Sequence, residues 1–257
     1  MSLQVDAILF DMDGTLVDER ASYREAIRLT AQFLLADPVS EEEVEAVKRL
    51  PGFNNDWDAT WAVVENHLSG RPASPDAADR ASSGYRRLQS VFQTYYLGHA
   101  LWHRLSGENP PIRWIEPLIL RETPLVSPQA LARLGDYRLG IATSRPRVEA
   151  LMALQQHGLG EFFPDHAVVA MEDADREKPH PAPLLEVQRR LQCVQPVYVG
   201  DTINDALAAR EAGMPFIHIG TEPFAETALE SVVAARVRGV ADIVDICTPS
   251  IDRTNPA

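Results

Sequence analysis

The sequence predicts an α/β fold: a doubly wound parallel sheet interrupted early by an inserted, all-helical domain. Three observations carry this expectation. Val5 to Phe10 is a short, almost wholly apolar run closed at once by turn-forming residues, the pattern of a strand buried on both faces. From Asp18 to about Leu120 the pattern is helical and no convincing strand intervenes. The rhythm then changes to short apolar strands alternating with helices, which builds a parallel sheet through right-handed crossovers. Residues 1–17 and 121–257 are assigned to the sheet domain, and 18–120 to the inserted domain.

Asp11 and Asp13 stand immediately beyond the first strand, two residues apart, so an extended backbone puts both side chains on one side. Gly14 lets the chain turn sharply there. At roughly 4 Å and an effective dielectric near 20, two such carboxylates repel by about 4 kcal/mol, a cost that a hard cation such as Mg²⁺ removes. An acidic helix cap followed by a plain loop is the structural alternative for the pair taken alone.

In the inserted stretch, Tyr23, Ile27 and Leu34 recur at helical spacing with Ala26 and Ala31 near the same face. Ser40 followed by three glutamates is a capping-box signature for a helix ending near Leu50. Residues 51–56 break it, Trp57 to Leu68 reads as a further helix, and residues 69–75 form a Ser/Gly/Pro loop. Asp76 to Leu105 reads as one long helix with candidate breaks at residues 82–84 and at Gly98.

In the second half, helices are expected over 128–134, 147–157, 181–191 and 203–212. Strands are expected over 138–142, 167–170, 196–199, 216–219 and, last, 241–246. Pro146 suits a helix start, and Gly158 and Gly213 suit helix ends.

The net charge of −13 argues against non-specific nucleic-acid binding and against an anionic membrane surface, and it means an anionic substrate needs a local cation to enter. Two cysteines, Cys193 and Cys247, lack metal-type spacing, which favours a reduced, cytoplasmic setting over a disulfide framework. No apolar run approaches a membrane span, and no signal-peptide pattern is apparent. A monomer or homodimer is expected.

The polar residues of interest fall at the carboxyl ends of strands, where doubly wound sheets bind ligands. Thr143 and Ser144 follow the strand at 138–142 and could hold phosphate oxygens with their hydroxyls; either could instead be only a helix cap. Arg145 adds a charge that could point at a ligand or into solvent. Lys178 lies in a Lys-Pro-His-Pro segment whose prolines fix its launch point, although a lone lysine is ordinarily solvated. Asp201 stands just past a strand as Asp11 does, a natural third carboxylate for a metal. Asp205, one helical turn on, either orients a neighbour or serves as a first-turn helix charge.

Asp11-Met12-Asp13-Gly14-Thr15, then Thr143, Lys178 and finally Gly200-Asp201 with Asp205, resemble the four motifs of the haloacid dehalogenase superfamily in their order. The resemblance covers residues 5–19 and about 125–246 and implies a Rossmann-like core. The inserted domain is similar, in position and helical character, to the mobile cap of the branch that contains phosphoglycolate phosphatase and β-phosphoglucomutase.

What this resemblance implies is a phosphatase acting on a small phosphorylated metabolite, with Asp11 as nucleophile and Asp13 as acid and base. Mg²⁺ would be held by the Asp11 carboxylate, the Asp13 carbonyl and Asp201, and Thr143 and Lys178 would hold the phosphoryl oxygens. A phosphomutase is the alternative enzyme, and a non-enzymatic binding protein a third reading. Dehalogenase and phosphonate-hydrolysing branches lack an acid at the position of Asp13. In the resembled branch the loop over 52–57 reaches the active site, so Asn54 and Asn55 are candidate substrate contacts and Trp57 a candidate wall; a plain interhelical turn, with Asp56 capping the next helix and Trp57 in the core of the inserted domain, is the other reading.

Overall fold

The β2 strand, Ala7–Phe10, is the axis of the sheet. In a computed structural model, which describes residues 2–50, 52–53, 55–220, 224 and 227–250, the chain divides into two units. One comprises 1–18 with 123–257, the other 19–122. The first is α/β. Its strands are β1 (Leu3–Val5), β2, β3 (Val17–Asp18), β4 (Thr123–Pro124), β5 (Arg138–Ala142), β6 (Val168–Val169), β7 (Pro196–Gly200), β8 (Phe216–Ile219), β9 (Val233–Val237) and β10 (Cys247–Pro249).

Six of them form one sheet in the order β6-β5-β2-β7-β8-β9, parallel throughout. The chain winds from β2 outward through β5 and β6, then returns to the other side through β7, β8 and β9. The reversal falls beside β2, and in such sheets the crevice at the carboxyl ends of the strands flanking that point is the ligand site.

The helical unit contains α1 (Tyr23–Leu35), α2 (Glu41–Lys48), α3 (Asp56–Ser69), α4 (Ala77–Ala81), α5 (Ser83–Leu97) and α6 (His99–Ser106). The apolar stripe of α1 buries Tyr23, Ala26, Ile27 and Ala31, while Leu34 is half-buried. Tyr23 stacks on Tyr96 with ring centroids 4.4 Å apart. The Ser40 capping box forms in full. Both candidate breaks in the long helix are used: Ser82 caps α5, and Gly98 separates α5 from α6 at a positive φ of 76°.

In the α/β unit, α7 (Pro128–Ala132), α8 (Arg147–Gln156), α9 (Ala182–Leu191), α10 (Ile203–Ala212) and α11 (Thr227–Glu230) connect the strands. Alternation along each strand decides which helix it meets. Ile8, Phe10, Val197 and Val199 share a core with Ala150, Ala153 and Leu154 of α8. Ala7, Leu9 and Tyr198 share the opposite core with Leu184 and Val187 of α9 and Ala206 and Ala209 of α10. Both faces are covered, which is why β2 and β7 read as continuous apolar runs.

One expected strand is corrected. Residues 240–245 form a 3₁₀ turn, with Val240 and Ile243 buried at the three-residue spacing of that helix. The last strand of the main sheet is β9, whose residues alternate between half-buried and exposed along an edge before ending in buried Val237. Cys247–Pro249 pairs with β1, and residues 251–257 lie outside the described ones.

Candidate active site

Asp11 follows β2 directly, and its backbone N–H still donates to the carbonyl of Val199 at 2.8 Å, so the ladder carries the residue to its place. The chain then turns tightly, with the Leu16 N–H donating to the Met12 carbonyl at 2.8 Å. Gly14 sits in this turn at φ 69°, a left-handed conformation that disfavours any side chain. A Cβ there would also collide with the Asp201 carboxylate. The glycine therefore lets the loops after β2 and β7 close on each other. Gly200, at the end of β7, makes room within a single connection: a Cβ on it would lie 2.6 Å from Cγ of Asp205 in α10.

Lys178 is the hub of the buried charges. Its ammonium lies 2.6 Å from Oδ1 of Asp11 and 2.7 Å from Oδ1 of Asp205, and it donates to the Tyr198 hydroxyl at 3.0 Å. All three side chains in the two ion pairs are less than a tenth exposed. Asp205 also accepts from the Thr202 N–H at 3.0 Å and hydroxyl at 2.6 Å, inside the capping box that starts α10. The Tyr198 hydroxyl, fully buried in β7, lies 3.1 Å from Asp205 and 3.2 Å from the Ala142 carbonyl. Asp205 is thus engaged on both oxygens, which suits it to holding Lys178 in place.

These contacts set the electrostatics. Burial and the nearby charge of Asp205 push the Asp11 carboxyl up to about 8 against the pull of Lys178. Burial works against the Lys178 ammonium, but Asp11 and Asp205 outweigh it and raise its pKa above the usual lysine range. Asp205 goes the other way: Lys178 and the Thr202 hydrogen bonds outweigh burial and lower it. Burial and Asp205 raise Tyr198 well above the ordinary phenol.

Asp11, Asp201 and Asp205 each offer a carboxylate oxygen within 4.8 Å of the others. With Asp205 already engaged on both oxygens, Asp11 and Asp201 are the hard oxygen donors of this set that fit a divalent cation of the Mg²⁺ type. Burial, with Asp205 nearby, makes ionising the Asp11 carboxyl costly, a cost that a cation beside it would offset.

Thr143 extends β5 by donating its N–H to the Val169 carbonyl at 3.0 Å, and it is buried. Neither Thr143 nor Ser144 caps α8. Pro146 occupies the cap position, and the Arg147 N–H is met by Oε2 of Glu172 at 2.9 Å. Ser144 is half-buried in the same turn. Arg145, open between ligand and solvent in the sequence, is buried at 2 % exposure. Its guanidinium pairs with the Asp13 carboxylate, Nε lying 2.8 Å from Oδ1 and 3.1 Å from Oδ2, while Nη2 bonds Oδ1.

In the helical unit, the Asn55 side chain accepts from the Trp57 and Asp58 N–H groups at 3.0 and 3.3 Å and caps α3. Asp56, the expected cap, is instead paired with Lys48 at 2.8 Å. Trp57 is half-buried, and Asn54 lies outside the described residues.

Sequence reasoning missed Tyr198, because a tyrosine inside an apolar strand reads as core; its spacing of three before Asp201 was the available signal.

A family profile described as haloacid dehalogenase-like hydrolase matches residues 5–213. The chain belongs to this hydrolase family, a class defined by its fold and by the carboxylate-rich end of its sheet. A phosphoglycolate phosphatase from Salmonella typhimurium is 28% identical over 229 residues, covering 83% of this chain and 80% of that protein. An imidazoleglycerol-phosphate dehydratase from Phytophthora nicotianae is 29% identical over 238 residues; it is matched over 91% of this chain, which spans about half (48%) of that protein's length. The solved structure of phosphatase Tt82 from Thermococcus thioreducens superimposes with a TM-score of 0.64 at 28% identity, covering 87% of this chain and 97% of that one. No helix among the described residues is long and apolar enough to cross a membrane.

Proposed function

We propose that the protein is a Mg²⁺-dependent phosphatase that hydrolyses a small phosphorylated metabolite through an aspartyl phosphate on Asp11. The observation that carries this reading is the buried contact of Asp11 with Lys178 at 2.6 Å, beside Asp201 and Asp205. The similarity to phosphatases over most of the chain supports it.

In this mechanism Lys178 holds the Asp11 carboxylate in place and balances negative charge as an Asp11 oxygen attacks phosphorus. Thr143 presents its hydroxyl to a phosphoryl oxygen. Asp13, half-exposed, gives its proton to the leaving oxygen, then takes one from the water that cleaves the acyl phosphate. Asp11 and Asp201, with the Asp13 carbonyl, would hold the cation, which neutralises phosphoryl charge when bound. The helical unit is assigned the choice of leaving group, with the residues around Asn55 and Trp57 as its candidate readers.

The test is phosphate release from an aryl phosphate. Activity should vanish in excess chelator and return with Mg²⁺; full activity in chelator overturns the metal assignment. Independently of turnover, Mg²⁺ at about a hundredfold over its Kd should add roughly 2.7 kcal/mol of stability, seen as a raised Tm that Asp201→Ala abolishes.

A further inference from the structure

We infer that Arg145 is a positioning residue that fixes the carboxylate of Asp13 for proton transfer, an assignment resting on the acid–base role proposed above for Asp13. Asp13 stands in a tight turn, where an aspartate has several staggered side-chain orientations open to it. The guanidinium removes that freedom. Nε reaches both carboxylate oxygens, at 2.8 and 3.1 Å, and Nη2 adds a bond to Oδ1. Such a planar fork fixes direction as well as distance, which a lysine's single point charge does not.

The two partners differ sharply in exposure. The Arg145 side chain is 1% exposed and that of Asp13 is 30% exposed. The arginine thus lies behind the carboxylate and leaves it reachable. A buried guanidinium already bonded to Asp13 is poorly placed to grip a ligand, so the pairing argues against a substrate-binding role. The backbone of Arg145 is itself fixed: its N–H donates to the Thr143 hydroxyl at 3.1 Å, and its carbonyl accepts from the Met171 N–H at 2.9 Å. One residue therefore couples the turn after β5, which carries Thr143, to the turn after β2, which carries Asp13. Misplacing a reacting group by about 1 Å can cost on the order of 100-fold in rate, so this coupling bears directly on turnover.

A double-mutant cycle tests the assignment in the full-length protein with Mg²⁺ and an aryl phosphate. Arg145→Met should lower kcat by about 10-fold or more with KM changed by less than about twofold, because the lost contact is made to Asp13 and not to substrate. In an Asp13→Asn background the same change should cost less than about twofold, since nothing is left for the fork to aim. Arg145→Lys, which keeps the charge without the fork, guards against a folding defect. It should retain the wild-type Tm more closely and still lose kcat, with the same dependence on Asp13. Losses that multiply across the two sites overturn the proposal and leave the phosphatase reading standing, as does a raised KM at unchanged kcat. A wild type inert towards aryl phosphate in the same assay overturns both together.

Discussion

Lys178 in the α/β unit and Lys48 in the helical unit each tie together separate stretches of chain through a carboxylate. Lys178 does so with its side chain 4% exposed, on Asp11 and Asp205; Lys48 does so at 21%, on Asp56, with a further contact to the Phe53 carbonyl at 3.3 Å. Burial separates their meanings. Around Lys178 burial and the ion pairs together move Asp11, Asp205 and Tyr198 from their ordinary ranges, and removing a partner leaves a buried charge stranded. Around Lys48 water shares the load, and the contact does no more than pin a loop and a helix start. The Lys178 pairs gather buried charge at the carboxyl end of the sheet, whereas the Lys48 pair fastens the start of α3.

The largest expected effect breaks this comparison at its centre. Lys178→Met should remove essentially all turnover and cost on the order of 3–5 kcal/mol, because it strands buried carboxylates. Lys48→Met should cost about 1 kcal/mol, as pairs still partly reached by water do. Denaturant titration of both variants measures this, and equal losses would end the distinction.

A middle-sized effect separates two roles of Asn55. Removing its cap with Asn55→Ala should cost about 1 kcal/mol of stability. Asn55→Asp keeps an oxygen for the Trp57 and Asp58 N–H groups but loses the amide donor, so it should hold the Tm. If the amide reads the leaving group, Asn55→Asp should still lower kcat/KM on a metabolite substrate by about 10-fold while sparing an aryl phosphate. Unchanged kinetics on both would confine Asn55 to the helix start.

The smallest effect is a pH dependence in the helical unit. His67 lies 2.8 Å from Glu43 and 3.2 Å from Asp37, and these hydrogen bonds raise its pKa above 6.5. A raised folded-state pKa contributes stability that is fully present below the unfolded value and is lost as pH rises through the folded one. His67→Gln should therefore lower Tm modestly near pH 5.5 and hardly at all near pH 9, at roughly those values. A deficit independent of pH would show that the imidazole only fills space.

Much of the α/β unit was legible because its information is local. A strand buried on both faces announces itself as an apolar run, and the residue that ends it must stand at the sheet's carboxyl edge; Asp11, Thr143 and Asp201 were placed by that logic alone. The capping box at Ser40 and the break at Gly98 are equally local. What sequence could not reveal is partnership across distance. Arg145 and Asp13 are 132 positions apart, and no spacing rule joins them. Tyr198 hid inside the alternation of a core strand. β9 hid because an edge strand with Arg236 facing solvent lacks the apolar signature that marked the others. Asn55 caps α3 because the helix begins at Asp56, one residue earlier than Trp57, and Asp56 pairs with Lys48 instead.

The short ladder of β3 and β4 has a consequence of another kind. It pairs Asp18 with Thr123, so the chain leaves and re-enters the α/β unit at neighbouring positions of one antiparallel ribbon. For the sheet, everything from Glu19 to Glu122 amounts to the tip of a hairpin. The entropy of joining those ends grows only with the logarithm of the intervening length, about 0.6 kcal/mol per doubling. Segments of very different size and character can therefore be spliced at this point without disturbing the strand order behind it. The α/β unit is a socket whose strand order stands by itself, and the helical unit is a cartridge that evolution or an engineer can exchange.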